Sequence, residues 1–300
     1  MSFKYLGGYL SATYDALGDG FYKGVWTLKD VIYALSLSRW SGIVPAGQDQ
    51  YTSVGTYSWT APAGVTSVSV VCIGTSQKWA NNARYGRGGG GLGYKNNIPV
   101  IPGNSYTVQV GSASSGTSSY FISTATVEGQ PSSGNSTGGG YTGDGGGNGG
   151  DGGTYFGSGI GAGGGGAGGY AGNGGNGAPS GAFSGSPAAT NSGGGGGGAG
   201  GTSSSFGAGG GGVGIWGLGP DGVGGVYNSG SGVTSTGGGG GSYGNVGAAS
   251  NTGGAGSPAI YGGGTAGTQA SVSGGGDTNG AVRIIYGSGR AFPSTLTSNQ

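Results

Sequence analysis

The 300-residue sequence has no histidine, a single cysteine (Cys72) and a single methionine, and only 6% of its residues are charged. Each shortage removes a class of chemistry. Without histidine a conventional Ser-His-Asp triad cannot be built, and one thiol with no imidazole leaves no ordinary zinc or other transition-metal ligand set. A lone cysteine excludes an intramolecular disulfide. The formal charge is +1 and the ten basic residues are scattered, unlike the clustered basic face of a nucleic-acid binder, so no nucleic-acid partner is expected. Hydrophobic residues make up 33%, short of the usual near-half. No apolar run approaches the ~20 residues of a membrane helix, so membrane insertion is not expected. Residues 1–20 carry neither the basic start nor the apolar centre of a secretory signal.

What fills the sequence instead is glycine, with 88 residues in all and 64 of the 139 between positions 138 and 276. That stretch holds no Lys, Arg or Glu and three Asp: Asp144, Asp151 and Asp221. Side-chain chemistry is nearly absent there. Backbone N–H and C=O groups remain at high density, and neighbouring chains can approach closely because Cβ is missing.

Four regions follow from composition and period. Residues 1–50 have ordinary complexity and read as an N-terminal attachment or oligomerisation segment. Leu28, Val31, Ile32 and Leu35 share one face at helical spacing, with Thr27 as N-cap and Asp30 at N3. This predicts a short N-terminal helix over 28–39 that packs on its own domain or docks on a partner. In 51–137 the period changes to two: Tyr57/Trp59, Val68/Val70/Cys72 and Tyr106/Val108/Val110 alternate, with turn residues at Pro62-Ala63-Gly64 and Pro102-Gly103-Asn104 between them. These are strands, and Cys72 is a small buried hydrophobe on one of them. Residues 77–95, with Trp79, Arg84, Tyr85, Arg87 and four successive glycines, read as a long loop. Alternation resumes at Val282, Ile284 and Tyr286, so 277–300 supplies a closing strand and a tail.

The region 138–276 consists of glycine runs of no fixed period, which excludes a collagen triple helix. Short inserts separate the runs and carry Tyr155, Phe156, Tyr170, Phe183, Phe206, Trp216, Tyr227 and Tyr243. Such composition is compatible with disorder. It is equally compatible with a packed array of polyglycine II helices. A single such helix has no internal hydrogen bonds, but neighbours laid side by side can bond to one another. The missing charge, the insert aromatics and the flanking strands favour the array. The fold class expected is therefore mainly β plus non-regular: a small antiparallel β domain carrying a packed polyglycine II array, with the short N-terminal helix. Inserts would then fall at the two ends of a short slab.

No catalytic residue emerges, and no enzyme activity or cofactor is expected. Residues 88–96 fail the phosphate-loop pattern, because Tyr94 separates Gly93 from Lys95 and Asn96 stands where Ser or Thr is needed. Asp144 and Asp151 are the one close acidic pair in the block, and both sit among glycines as turn residues. The stretch from Gly146 to Asp151 begins like a calcium-binding nonapeptide, yet no tandem copy follows and no metal site is expected.

Four stretches carry a resemblance: YSWTAPAGVTSVSVV from Tyr57, GLGYKNN from Gly91, GAVRIIY from Gly280 and RAFP from Arg290. They resemble the glycine-rich domain of tailed-phage structural proteins, especially those of marine cyanophages. In composition the block is also similar to the receptor-binding adhesins at the tips of T-even phage long tail fibres, where a polyglycine II sandwich displays variable loops. The resemblance implies a virion protein of the phage tail, exposed to the extracellular medium. Its partners would be a host outer-surface protein or glycan and other tail or fibre proteins, and it could assemble as a homotrimer. A purely structural virion role, as fibre segment, baseplate or head appendage, is the alternative. An ice-binding or matrix protein is a more distant one. For an adhesin, the receptor-binding candidates are Trp216, Tyr227, Phe206 and Tyr243, followed by Tyr155, Phe156, Tyr170 and Phe183. Trp216 comes first because a core built for glycine leaves little room for Ile215 and Trp216, which places them at an exposed end.

Overall fold

The computed structural model describes residues 45–76, 84–134, 136–156, 161–181, 183–201, 207–228, 234–247, 261–266 and 278–293. The helix expected over 28–39 lies outside them, as do Trp79 and Phe206. No α-helix occurs among the described residues.

Two five-stranded antiparallel sheets form the β domain. The first runs in the order β1 (Gly47–Tyr51), β12 (Ala281–Tyr286), β3 (Ser67–Ile73), β4 (Leu92–Pro99), β9 (Gly145–Gly147). The second runs β2 (Gly55–Thr60), β5 (Ser105–Val110), β6 (Ser119–Phe121), β7 (Val127–Gly129), β8 (Tyr141–Thr142). A further small pair joins β10 (Tyr227–Asn228) to β11 (Thr234–Ser235). The closing strand behaves as its alternation predicts: β12 lies between β1 and β3, with Val282 opposite Cys72 and Ile284 opposite Val70.

Alternation on β3 explains why sheet one has two buried faces. Val68, Val70 and Cys72 point into a core with Trp59, Val108, Phe121, Val127, Val282 and Ile284. Val71 and Ile73 point the other way, where they meet Leu92, Ile285, Phe292, Ala167, Tyr170, Val213 and Ile215. The nearly unbroken apolar run from Val68 to Ile73 is the signature of a strand covered on both sides. Sheet two covers one side, and the glycine block covers the other.

Residues 77–95 are not one loop. Strand β4 begins at Leu92 and pairs along β3, and the glycines just before it bond into the glycine block, with Gly89 N donating to Gly150 O at 2.9 Å and Gly90 N to Gly262 O at 2.7 Å. A glycine run read as part of a loop is here structural, because its amides have partners.

Within the block the segments cross-bond with a three-residue rhythm. In segment 161–169, Gly163, Gly166 and Gly169 donate to Ala178, Gly175 and Gly172. Gly164 and Ala167 donate to Ala208 and Gly211, and Gly165 and Gly168 donate to Arg87 and Gly90, all at 2.8–3.0 Å. Its carbonyls accept from three other segments, through Gly150 and Gly153, Gly195 and Gly198, and Gly264. Segment 193–201 is ringed in the same way. Successive residues therefore face successive neighbours around the axis.

Glycine is required by this packing at most positions. A Cβ at Gly163, Gly164, Gly165 or Gly166 would lie 1.9–2.1 Å from a carbonyl oxygen of an adjacent segment. Ala167 is the instructive exception. It continues the phase of Gly164, but at its level the neighbouring segment has reached the turn at Gly262, so its methyl enters the apolar contact with sheet one.

Cys72 reports on this arrangement. It is fully buried, and burial first, with Glu128 second, holds its thiol well above the usual range. The folded chain is expected to resist alkylation by a water-soluble maleimide, with labelling appearing at the global unfolding transition. Rapid labelling below that transition would contradict the buried β3.

Candidate functional site

Because consecutive segments of the block mostly run back on one another, consecutive inserts fall at opposite ends. Tyr170 follows segment 161–169 at the end that packs on Val71, Ile73 and Leu92, and Ile215, Trp216 and Leu218 follow segment 207–214 at the same end. The inserts holding Tyr155 with Phe156, Phe183 and Tyr227 fall at the other.

Where the sheet-facing end meets β3 and β4 it is closed. Tyr170 is 1% exposed, stacks on Phe292 at 5.9 Å, and meets Tyr94 at 6.2 Å. Its hydroxyl donates to Gly214 O and accepts from Gly217 N. Burial raises its pKa well above that of a free phenol, against the lowering pull of the Gly217 hydrogen bond and Arg283. Tyr170 was expected to be a surface contact, and this is a correction: its ring fills the space between the last glycines and the 292 segment.

Trp216 is corrected in the same sense. It is half-buried and lies over the fully buried Arg283, whose guanidinium carbon is 4.5 Å from the ring centroid. Arg283 donates from Nη1 to Ile215 O at 3.0 Å and from Nε to Gln48 Oε1 at 3.0 Å. Burial pushes its pKa down to about 10, with Tyr170 opposing that shift and Arg290 adding to it. The expectation failed because glycine segments end against a sheet, where large side chains have room. Trp216→Ala is expected to cost on the order of 2 kcal/mol of stability through lost packing and cation–π contact, read as a lower melting temperature.

Among the described residues the opposite end is exposed and aromatic. Phe156 is 66% exposed and Phe183 54%, with Tyr155 and Tyr227 half-buried beside them. Backbone bonds tie these residues into one rim. Phe156 N donates to Ser180 Oγ, Gly181 N to Gly201 O, Gly200 N to Phe183 O, and Tyr227 N to Ser184 Oγ. Arg84 and Tyr85 complete it. The exposed Arg84 donates from Nη1 to the Tyr155 hydroxyl at 2.7 Å with its guanidinium 4.9 Å from the Tyr155 ring, and Tyr85 meets that ring edge-on at 6.5 Å. The sequence places these two in a loop. Their signal was the glycine run after them, which joins the block and carries them to its end.

Tyr243 is 62% exposed but belongs to the sheet-facing end, since the neighbouring Ser242 donates from Oγ to Gly193 O and from N to Pro220 O. Phe206 lies outside the described residues.

The aspartates hold backbone. Asp144 accepts from Asn96 N and pairs with Lys95 at 3.5 Å, Asp151 accepts from Gly138 N, and Asp221 accepts from Asn191 N and Gly193 N. Among the described residues no group of three or more His, Cys, Asp or Glu could hold a metal ion, and no helix is long and apolar enough to cross a membrane. No family model matches the chain, and no curated protein matches it in sequence.

Proposed function

We propose that this chain is a phage tail-fibre or tail-tip adhesin whose glycine block is a polyglycine II array and whose open aromatic rim contacts a receptor on the host surface. The observation that carries this reading is the gathering of Tyr155, Phe156, Phe183 and Tyr227 at the end opposite the sheet-facing one. Exposed rings and backbone amides on short loops suit sugar faces and protein loops alike. Arg84 adds a cation that a glycan carboxylate or an acidic loop can meet. The three-residue rhythm of amide bonds supports the polyglycine II assignment, since each turn of such a helix offers its amides in three directions. In this reading the chain sits in the virion, joined to other tail or fibre proteins through the β domain or the N-terminal segment, as a monomer or a homotrimer.

A purely structural virion role is favoured by a different observation, the exposure of Val223 and Val246 on the flank of the block and of Tyr243 at its sheet-facing end. Adsorption separates the two. Purified chain bound to host cells is expected to lose about 30-fold in affinity when Phe156 and Phe183 are both replaced by alanine, as for a hot spot worth about 2 kcal/mol, with the melting temperature unchanged. Unchanged adsorption for Tyr155→Ala, Phe156→Ala, Phe183→Ala and Tyr227→Ala alike would reject the rim as the receptor contact and leave the structural role.

A further inference from the structure

The aromatic rim carries one cation whose placement narrows the class of ligand, an inference that rests on the rim being the receptor contact. Arg84 reaches the rim by register. Gly89 N donates to Gly150 O and Gly86 N to Gly153 O, so a step of three along one segment matches a step of three back along the other. Two residues beyond the Gly86–Gly153 bond, Arg84 comes level with Tyr155. Ala162 N donates to Arg84 O at 3.1 Å and fixes the same point from a third segment.

The guanidinium is held there but not neutralised. Its Nη1 donates to the Tyr155 hydroxyl at 2.7 Å, and its carbon lies 4.9 Å from the centroid of that ring. Both contacts restrict a side chain that is otherwise exposed, so less rotamer freedom is left to lose on binding. Neither supplies negative charge. Among the described residues Arg84 forms no ion pair, and the sequence has no Asp or Glu in 50–127, 152–220 or 222–276. Asp151 is the nearest acid along the Tyr155 segment, about 12 Å away at ~3.1 Å per residue. That is beyond the ~8 Å over which exposed charges act at physiological ionic strength, and its carboxylate already accepts from Gly138 N.

We propose that the rim takes an acidic sugar, a hexuronate or a related carboxylated ring, with the carboxylate received by Arg84 and the C–H face of the ring laid on Phe156 or Phe183. An arginine already oriented by an aromatic ring meets a carboxylate through charge-assisted hydrogen bonds. The two phenylalanines, 66% and 54% exposed, offer flat faces rather than enclosure. Flat faces match a pyranose, whereas the anchors of protein interfaces sit in enclosed, desolvated pockets. The charge of a hexuronate is what this end of the chain lacks.

The test titrates the full chain calorimetrically, at physiological ionic strength, with tetrasaccharides of glucuronic and of galacturonic acid and with the carboxyl-reduced counterpart of each. At least one acidic tetrasaccharide is expected to bind, with its reduced counterpart about tenfold weaker, as for the loss of one charge-assisted hydrogen bond. Arg84→Gln should weaken the acid about tenfold and leave the reduced form unchanged, with parent-like melting because the side chain is exposed and bonds to Tyr155. Phe156→Ala should weaken both forms alike. Equal binding of acid and reduced forms, no binding of either acid, or a preference for acid that survives in Arg84→Gln would overturn the assignment. Host-cell adsorption keeps this inference apart from the reading beneath it. Adsorption that needs Phe156 and Phe183 but not Arg84 would sink the acidic sugar and leave the adhesin, and adsorption indifferent to all three would sink the adhesin itself. Adsorption that needs Arg84 and disappears when the cells are treated with protease would reassign the contact to an acidic protein loop.

Discussion

A chain carrying Gly196→Val is expected to lose slow hydrogen exchange across both 163–169 and 193–201 and to melt well below the parent. The Cβ of residue 196 would lie 1.9 Å from Val223 O and 2.5 Å from Val223 C, and these are backbone atoms that no rotamer change can move aside. Ordinary overpacking costs about 1–3 kcal/mol. Here the obstruction also separates segments whose amides depend on one another: Gly196 N donates to Gly239 O and Gly196 O accepts from Gly211 N. The loss should therefore spread beyond one position and exceed about 3 kcal/mol. Ala189→Ser, at an exposed insert position, is the comparison expected to be nearly silent. Ala188 cannot serve, because it is 7% exposed and its N–H is bonded to Gly222 O. Parent-like exchange in Gly196→Val would refute the packed block.

Deleting residues 281–300 should have the larger effect and abolish cooperative folding. Strand β12 bonds to β1 on one side and β3 on the other, so its removal splits sheet one. It also withdraws Val282 and Ile284 from the core between the sheets, and Ile285 and Phe292 from the contact with the glycine block. At roughly 1.5–3 kcal/mol for each buried side chain, the loss is comparable to the whole stability of a typical domain, about 5–15 kcal/mol. Cys72 supplies the readout, since its maleimide reactivity should rise to that of the unfolded chain. A truncated chain that melts like the parent would show that β12 is not integral to the sheet.

Strands were legible where apolar residues recur at every second position. The two-residue alternation at Val68, Val70 and Cys72 and at Val282, Ile284 and Tyr286 was enough to mark strands on both sides of the block. Less legible was the second buried face, carried by Val71, Ile73, Leu92 and Ile285, because its partner surface is largely glycine and announces no apolar pattern of its own. The role of each insert aromatic was hidden for a related reason. Tyr155 and Tyr170 look alike in sequence, each a ring beside glycines, and only the number of segment reversals between them says that one faces solvent and the other a sheet. Counting reversals from the first run would have moved Trp216 out of the leading position and brought Phe156 and Phe183 forward.

The back-and-forth course of the glycine segments also constrains how such a chain can change through inheritance. A gain or loss of length would have to come as whole segments, since a fraction of one would put its amides out of step with their partners. A change by one segment would transpose every downstream loop, carrying rings built to fill a sheet contact into solvent and burying those built for display. Viable length variants should thus differ by two segments at a time, while the loops between them stay free to diverge one by one.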